Sequence, residues 1–166
     1  MIELNKKTQQ DFLNREWVQK LLDAGVDMSD AYYGIARDTT HGNRDKIFFI
    51  HMWGLEDTES FIDKIPTYTV SELLYKLHEW IYPTIDGREY SGELSFIKDA
   101  PFYIFYYDLT AKPDEEGYVP VTKSKNDKYI SAVFEYPIES LASLLIQCHK
   151  KDIGIPRKDT GNISNK

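Results

Sequence analysis

Four histidines are the first residues of this sequence to consider for chemistry, because histidine both ligates metals and transfers protons. Metal sites usually draw on closely spaced histidine or cysteine ligands. His41, His51, His78 and His149 show no such pairing. His51 alternates with apolar neighbours, and His78 lies in a segment with helical periodicity. We therefore interpret them as ordinary helix and strand residues, and the sequence predicts no metal site.

Cys148 and His149 form the one adjacent pair that resembles a nucleophile and its base. Neighbouring helix positions point about 100° apart, so these two side chains cannot readily meet. Cys148 also continues an apolar stripe through Leu144 and Leu145. The pattern favours a core cysteine rather than a catalytic one.

Carboxylates are abundant, with a run at Glu56, Asp57, Glu59 and Asp63. This run lacks the glycine and the alternating ligands of a calcium loop, so a solvated charged segment is the simpler interpretation. No glycine-rich phosphate loop and no serine-nucleophile motif is present. The sequence therefore predicts neither a catalytic residue nor a cofactor.

The twelve tyrosines point instead to a contact surface. Tyr103, Tyr106 and Tyr107 lie in one strongly apolar segment, and Tyr118 follows it. Tyrosine is enriched where proteins bind one another. Packing of the strand tyrosines between sheet and helices is the first interpretation. The second is a protein-binding surface, made of these tyrosines with the acidic side chains of Glu56, Asp57 and Glu59, and a stacking platform for nucleic acid comes third.

Composition limits the class of partner. The chain has 166 residues and a net charge of −7, which makes nucleic acid and anionic lipid unfavourable partners. A single cysteine excludes an intramolecular disulfide. The sequence shows no signal peptide and no apolar run of the about 20 residues that a membrane span needs. We expect a cytoplasmic protein with no membrane association.

The first half of the chain predicts a helix and a hairpin. Thr8 and Asp11 resemble a capping box, and apolar residues then recur at helical spacing over 9–24. Strands are expected at 31–36 and 46–53, joined by a long polar loop. The acidic stretch 55–63 is expected to be a loop or a single helical turn.

The second half begins with the clearest helix. Thr69 and Glu72 form a full capping box before a stripe that includes Leu73, Trp80 and Ile81, and Pro83 is expected to end the helix. A turn at 86–87 then leads into strands. These are expected at 90–97, 102–109 and 129–134, with an exposed loop at 110–128 and a last helix from Pro137 to Gly154.

This order predicts an α+β fold: a mainly antiparallel sheet of about four to five strands, with three helices mostly on one face. The strand expected at 102–109 is apolar on both faces, so we expect it to lie in the centre of the sheet. We expect a single domain over 1–154 and a polar, flexible tail over 155–166.

Two stretches resemble small uncharacterised proteins of gut-bacterial phages and integrated mobile elements. One runs from Ile65-Pro66-Thr67-Tyr68-Thr69 through Leu73-Leu74 and Trp80, and the other is the helix around Leu144-Leu145-Ile146. The resemblance covers about 65–154 and rests on caps and core stripes. It implies a mobile-element origin and an accessory role, and it carries over no activity and no site residue.

The leading hypothesis is a non-enzymatic protein-binding module, with homodimerisation possible through an edge strand or exposed tyrosines. A small enzyme with a dispersed site, using residues such as His51, Glu79 or Asp108, is the first alternative. The second is an acidic mimic of nucleic acid, which requires the carboxylates of 56–63 and 114–116 to form one spaced stripe.

Overall fold

The computed structural model describes residues 2–4, 8–50, 60–85, 87–112 and 129–150. The predicted α+β class is confirmed, with three α-helices and antiparallel strands over these described residues. The strands form two sheets rather than the single sheet expected from the sequence. The reason is that the strands pair within each half of the chain, and no described ladder joins the halves.

The first sheet has the strand order β1-β3-β2-β4. These strands are β1 (Ile2–Glu3), β2 (Tyr33–Asp38), β3 (Arg44–Phe49) and β4 (Phe61–Thr67). The loop between β2 and β3 is shorter than expected, and β4 occupies part of the segment that was expected to be a loop or a helical turn.

The second sheet has the order β5-β7-β8-β9, and β6 also pairs with β7. Its strands are β5 (Trp80–Ile81), β6 (Thr84–Ile85), β7 (Arg88–Asp99), β8 (Phe102–Ala111) and β9 (Tyr129–Phe134). β8 lies between β7 and β9, so its predicted central position is confirmed. Gly87, at φ +75°, occupies the predicted turn between β6 and β7, where only glycine is unstrained.

The first helix, α1 (Arg15–Asp23), begins later than the sequence pattern indicates. Its N-cap is Asn14, whose side chain accepts a hydrogen bond from the Trp17 N–H at 3.0 Å. Thr8 instead starts a short 3-10 turn. Both residues are good caps, so sequence alone did not decide between them.

The second helix, α2 (Val70–Lys76), has the predicted capping box between Thr69 and Glu72. It ends before Trp80 and Ile81, which were expected in its stripe and instead form β5. Pairing of Ile81 with Gly92 of β7 overrides the helical spacing. The predicted stop at Pro83 is therefore wrong.

The third helix, α3 (Pro137–Lys150), begins at the predicted proline. It packs on β8 and β9 and contacts both α1 and α2. Apolar side chains from all three helices and both sheets share one buried cluster, which includes Leu21, Ile35, Leu73, Tyr107 and Leu144. Cys148 lies in this cluster with 1% of its surface exposed, as its sequence position indicates.

The predicted tail over 155–166 and most of the predicted loop over 110–128 lie outside the described residues. Within the described part of the chain, no helix is long and apolar enough to cross a membrane.

Candidate functional site

The inner face of the second sheet is the face on which α3 packs. In an antiparallel sheet, directly opposite residues share a face and successive residues alternate. Leu94 pairs with Tyr107 and Gly92 with Leu109, and Tyr107 and Leu109 are buried. The Phe105 N–H also donates to the Ser140 hydroxyl of α3 at 3.0 Å. Helix cover therefore protects the part of this face around Tyr107 and Leu109 from solvent.

The other face, which we call the outer face, consists of the alternate residues of β7, β8 and β9. Three apolar side chains stand on it near the β7–β8 hairpin turn: Ile97 is 47% exposed, Phe102 is 47% exposed and Val133 is 52% exposed. Ile97 lies opposite Ile104, and Ile104 lies opposite Val133. The outer face therefore carries an apolar cluster that no described element covers.

An acidic pair follows this cluster along the outer face. Glu93 of β7 lies directly opposite Asp108 of β8, and both are exposed. Like charges in this position destabilise a sheet. The outer positions of β7 and β8 carry four carboxylates and no basic side chain. One of the four, Glu89, pairs with Lys112 at 2.5 Å.

No ion pair involves Glu93 or Asp108 among the residues that the structure describes. The two carboxylates therefore repel each other on the same face as the exposed apolar cluster, with the Ser95–Tyr106 pair between them, a combination that stability alone does not favour.

The predicted tyrosine surface does not form as one surface. Tyr107 lies on the inner face with 0% of its surface exposed, and its hydroxyl donates to the His78 carbonyl oxygen at 2.5 Å. Burial raises the pKa of this hydroxyl, which keeps it protonated. Its assignment to an interaction surface is therefore wrong, because adjacent strand residues point to opposite faces.

Tyr106 lies on the outer face and is half-buried, whereas Tyr103 shares the inner side with Tyr107. Tyr103 stacks on Phe96 with ring centroids 6.0 Å apart, at the hairpin end where Phe96 is 50% exposed. The other predicted site residues lie outside the described part of the chain; these are Glu56, Asp57, Glu59 and Tyr118.

A second feature is a pocket of about 410 Å³ between the start of β2 and helix α2, which we call the tyrosine pocket. Its walls include Tyr32, Tyr33, Tyr68 and Tyr75. Sequence reasoning missed it because its parts come from separate segments. The early Tyr32-Tyr33 pair was its one visible signal.

The polar groups of the tyrosine pocket are held by hydrogen bonds. Tyr68 donates to Asp30 Oδ1 at 2.7 Å, and Lys76 Nζ lies 3.0 Å from Asp30 Oδ2. Burial opposes ionisation of Asp30, but the hydrogen bonds from Tyr68 and Lys76 prevail and hold its pKa below the usual value. Glu72 accepts from the Tyr32 N–H at 2.9 Å and caps α2.

A third cluster surrounds the buried carboxylate of Asp38 and superficially resembles a catalytic triad. His41 Nδ1 lies 2.8 Å from Asp38 and 2.8 Å from Thr40 Oγ1. A triad needs the acid and the nucleophile on opposite ring nitrogens, and here both are at Nδ1. Asp38 also accepts from the Thr40 N–H and from Lys46. The cluster therefore stabilises the β2–β3 turn.

The structure describes only two of the residues that were suggested for a dispersed active site. Glu79 and Asp108 do not line the tyrosine pocket, and His51 lies outside the described residues. Over those residues, no group of three or more histidine, cysteine or acidic side chains could hold a metal ion.

The acidic stripe required for nucleic-acid mimicry falls mostly outside the described residues. Its one described member, Asp63, pairs with Arg37 at 3.2 Å, and its carbonyl accepts a hydrogen bond from Arg15 at 2.6 Å. Asp63 therefore takes part in local contacts of the first sheet.

Comparison with protein-family models, with curated proteins and with solved structures found no match. The resemblance to phage and mobile-element proteins stays a prediction.

Proposed function

We propose that this protein is a non-enzymatic binding module that docks another protein on the outer face of its second sheet. The observation that carries the proposal is the exposed cluster of Ile97, Phe102 and Val133 on a face that no described element covers. Exposed apolar clusters on monomers commonly mark contact surfaces.

The acidic pair defines the chemistry of the partner. A lysine or arginine placed between Glu93 and Asp108 would replace their repulsion with two attractions. The partner therefore presents apolar side chains and a basic residue roughly 13 Å apart, because Glu93 lies four strand residues from Ile97. Nucleic acid is a poor alternative, because its phosphates would meet carboxylates on this face.

The resemblance seen in the sequence adds an accessory role in a phage or integrated mobile element to this proposal. The proposal also includes a cytoplasmic location. The one cysteine is a buried free thiol, which fits a reducing compartment.

The test is selection of random 12-residue peptides displayed on phage against the immobilised protein, followed by affinity measurement with the selected synthetic peptides. We expect the selected peptides to combine apolar residues with lysine or arginine. Their binding should fall at least ten-fold in Ile97→Ser and in the double variant Glu93→Gln, Asp108→Asn. The control is Glu89→Gln, which removes an outer carboxylate that already pairs with Lys112.

Peptides without basic residues, equal binding to the variants, or no enrichment would each overturn the proposal. Sedimentation of the free protein at micromolar concentration tests whether a second copy of this chain, rather than another protein, binds to the outer face. If the wild-type protein is a dimer and Ile97→Ser is a monomer, the outer face serves self-association, and the proposal of a different protein as partner is overturned.

A further inference from the structure

We propose that the tyrosine pocket binds an organic cation, either a guanidinium or an ammonium group. Its volume of about 410 Å³ lies within the range of roughly 300–1,000 Å³ that small ligands use. This inference is independent of the outer face, since it rests on different residues.

The lining of the pocket suits a cation because four of its nine residues are tyrosines. Tyr32 is 67% exposed and Tyr75 is 68% exposed, and both line the pocket together with Tyr33 and Tyr68. A cation over an aromatic face is attracted by the ring quadrupole. The protein already shows this contact, because Lys76 Nζ lies 5.6 Å from the centroid of the Tyr68 ring.

The charge of the pocket has the matching sign. Asp30 and Glu72 supply two carboxylates, and Lys76 is the basic side chain in its lining, so one negative charge is in excess. Lys76 is held by Asp30 and by the Asp27 carbonyl oxygen at 3.0 Å. It therefore neutralises part of the acidic charge and leaves the rest for a ligand.

Asp30 is the group that would receive the ligand. Its Oδ1 accepts from Tyr68 and its Oδ2 lies against Lys76, and a carboxylate can accept about four hydrogen bonds. Its side chain is 38% exposed. The two donors fix its orientation before a ligand arrives, which reduces the entropic cost of binding.

A guanidinium or ammonium group can reach the pocket from two sources: a basic side chain of another protein and a free small amine. The experiment is an NMR titration of the full chain with Nα-acetylarginine methylamide. Nα-acetylcitrulline methylamide is the control, because it has nearly the same shape without the charge. We expect shifts of Tyr32, Tyr75 and Asp30 resonances that saturate with the arginine derivative and are at least ten-fold weaker with the citrulline derivative.

Two tyrosine variants test the site, and a third tyrosine variant outside the pocket is their control. Tyr32→Ala and Tyr75→Ala should each weaken binding about two- to five-fold, as expected for loss of one exposed cation–π contact. Tyr82→Ala removes a tyrosine that is 65% exposed and lies outside the pocket lining, so binding should stay unchanged. Asp30→Asn should abolish binding.

Agmatine, a free small molecule with one amine and one guanidinium group, and a short arginine-containing peptide distinguish the sources. Tighter binding of the peptide would indicate a protein side chain, and tighter binding of agmatine would indicate a small amine. Equal binding of arginine and citrulline derivatives, or equal losses in Tyr82→Ala and Tyr75→Ala, would overturn the proposal. So would the absence of saturable shifts at millimolar concentrations of each probe.

Discussion

The indole N–H of Trp17 donates a hydrogen bond to the Glu139 carboxylate at 3.0 Å, across 122 residues of chain. Trp17 lies on α1 and Glu139 in the first turn of α3, so this contact joins the two ends of the fold. The Trp17 ring also meets Phe134 edge-on, with centroids 5.1 Å apart.

Replacing Glu139 with alanine is expected to destabilise the protein by about 1–3 kcal/mol, because the buried indole N–H loses its acceptor and α3 loses a favourable first-turn charge. Urea denaturation measures the change. Glu139→Gln keeps an acceptor oxygen and should lose less than half as much. Equal losses in the two variants would show that charge, and not the hydrogen bond, dominates.

The hydroxyl of Tyr107 provides a second stability test. Tyr107→Phe leaves the His78 carbonyl oxygen without this donor, which is expected to cost about 1–2 kcal/mol in free energy of unfolding. Tyr82→Phe removes a hydroxyl from an exposed ring and should change stability little. A Tyr107→Phe variant as stable as wild type would mean that water or a shift of the chain replaces the bond.

The opposed carboxylates of the outer face predict a stabilising substitution. Neutralising one partner, as Glu93→Gln or Asp108→Asn, should raise the free energy of unfolding by about 0.2–1 kcal/mol through loss of repulsion. The gain should shrink in 1 M NaCl, where screening already weakens that repulsion. Glu89→Gln, which breaks an ion pair with Lys112, should give no gain. Destabilisation by both neutral variants would disprove the repulsion.

Asp38 predicts the response to acid. Hydrogen bonds from Lys46, Thr40 and His41 hold its pKa far below the usual value despite burial. The folded state therefore binds this proton less readily than the unfolded state. The stability from Asp38 is present above about pH 4 and is lost as the pH falls towards the lower folded pKa.

The measurement is the thermal midpoint between pH 7 and pH 2. Asp38→Asn should be less stable than wild type at pH 7, and the difference should narrow below about pH 4. Asp63→Asn is the control, because Asp63 is an exposed carboxylate paired with Arg37 and should show a smaller effect. A constant difference across this range would exclude the titration of Asp38.

Local signals in the sequence predicted the parts of the fold that depend on neighbouring residues. The Thr69–Glu72 capping box, the turn at Gly87 and the start of α3 at Pro137 are of this kind. Trp80 shows the limit: its spacing fits a helix, but pairing with Glu93 places it in a strand. Pairing between distant segments is not encoded in local periodicity.

The candidate sites were less predictable for the same reason. The apolar pattern of β8 correctly indicated a central strand, but a central strand can still have one uncovered face. The opposition of Glu93 to Asp108 depends on the register of β7 and β8. The tyrosine pocket requires residues that the fold brings together from around 32 and 75.

The Trp17–Glu139 contact also constrains the order of events during synthesis. A ribosome adds about 5–20 residues per second, so Glu139 follows Trp17 after roughly 6–24 s. Until then α1 exposes the apolar side that α3 will cover, although the strands of the first sheet have already been made. The segment around Trp17 therefore reaches its final packing only after α3 has left the ribosome, however early the first sheet is synthesised.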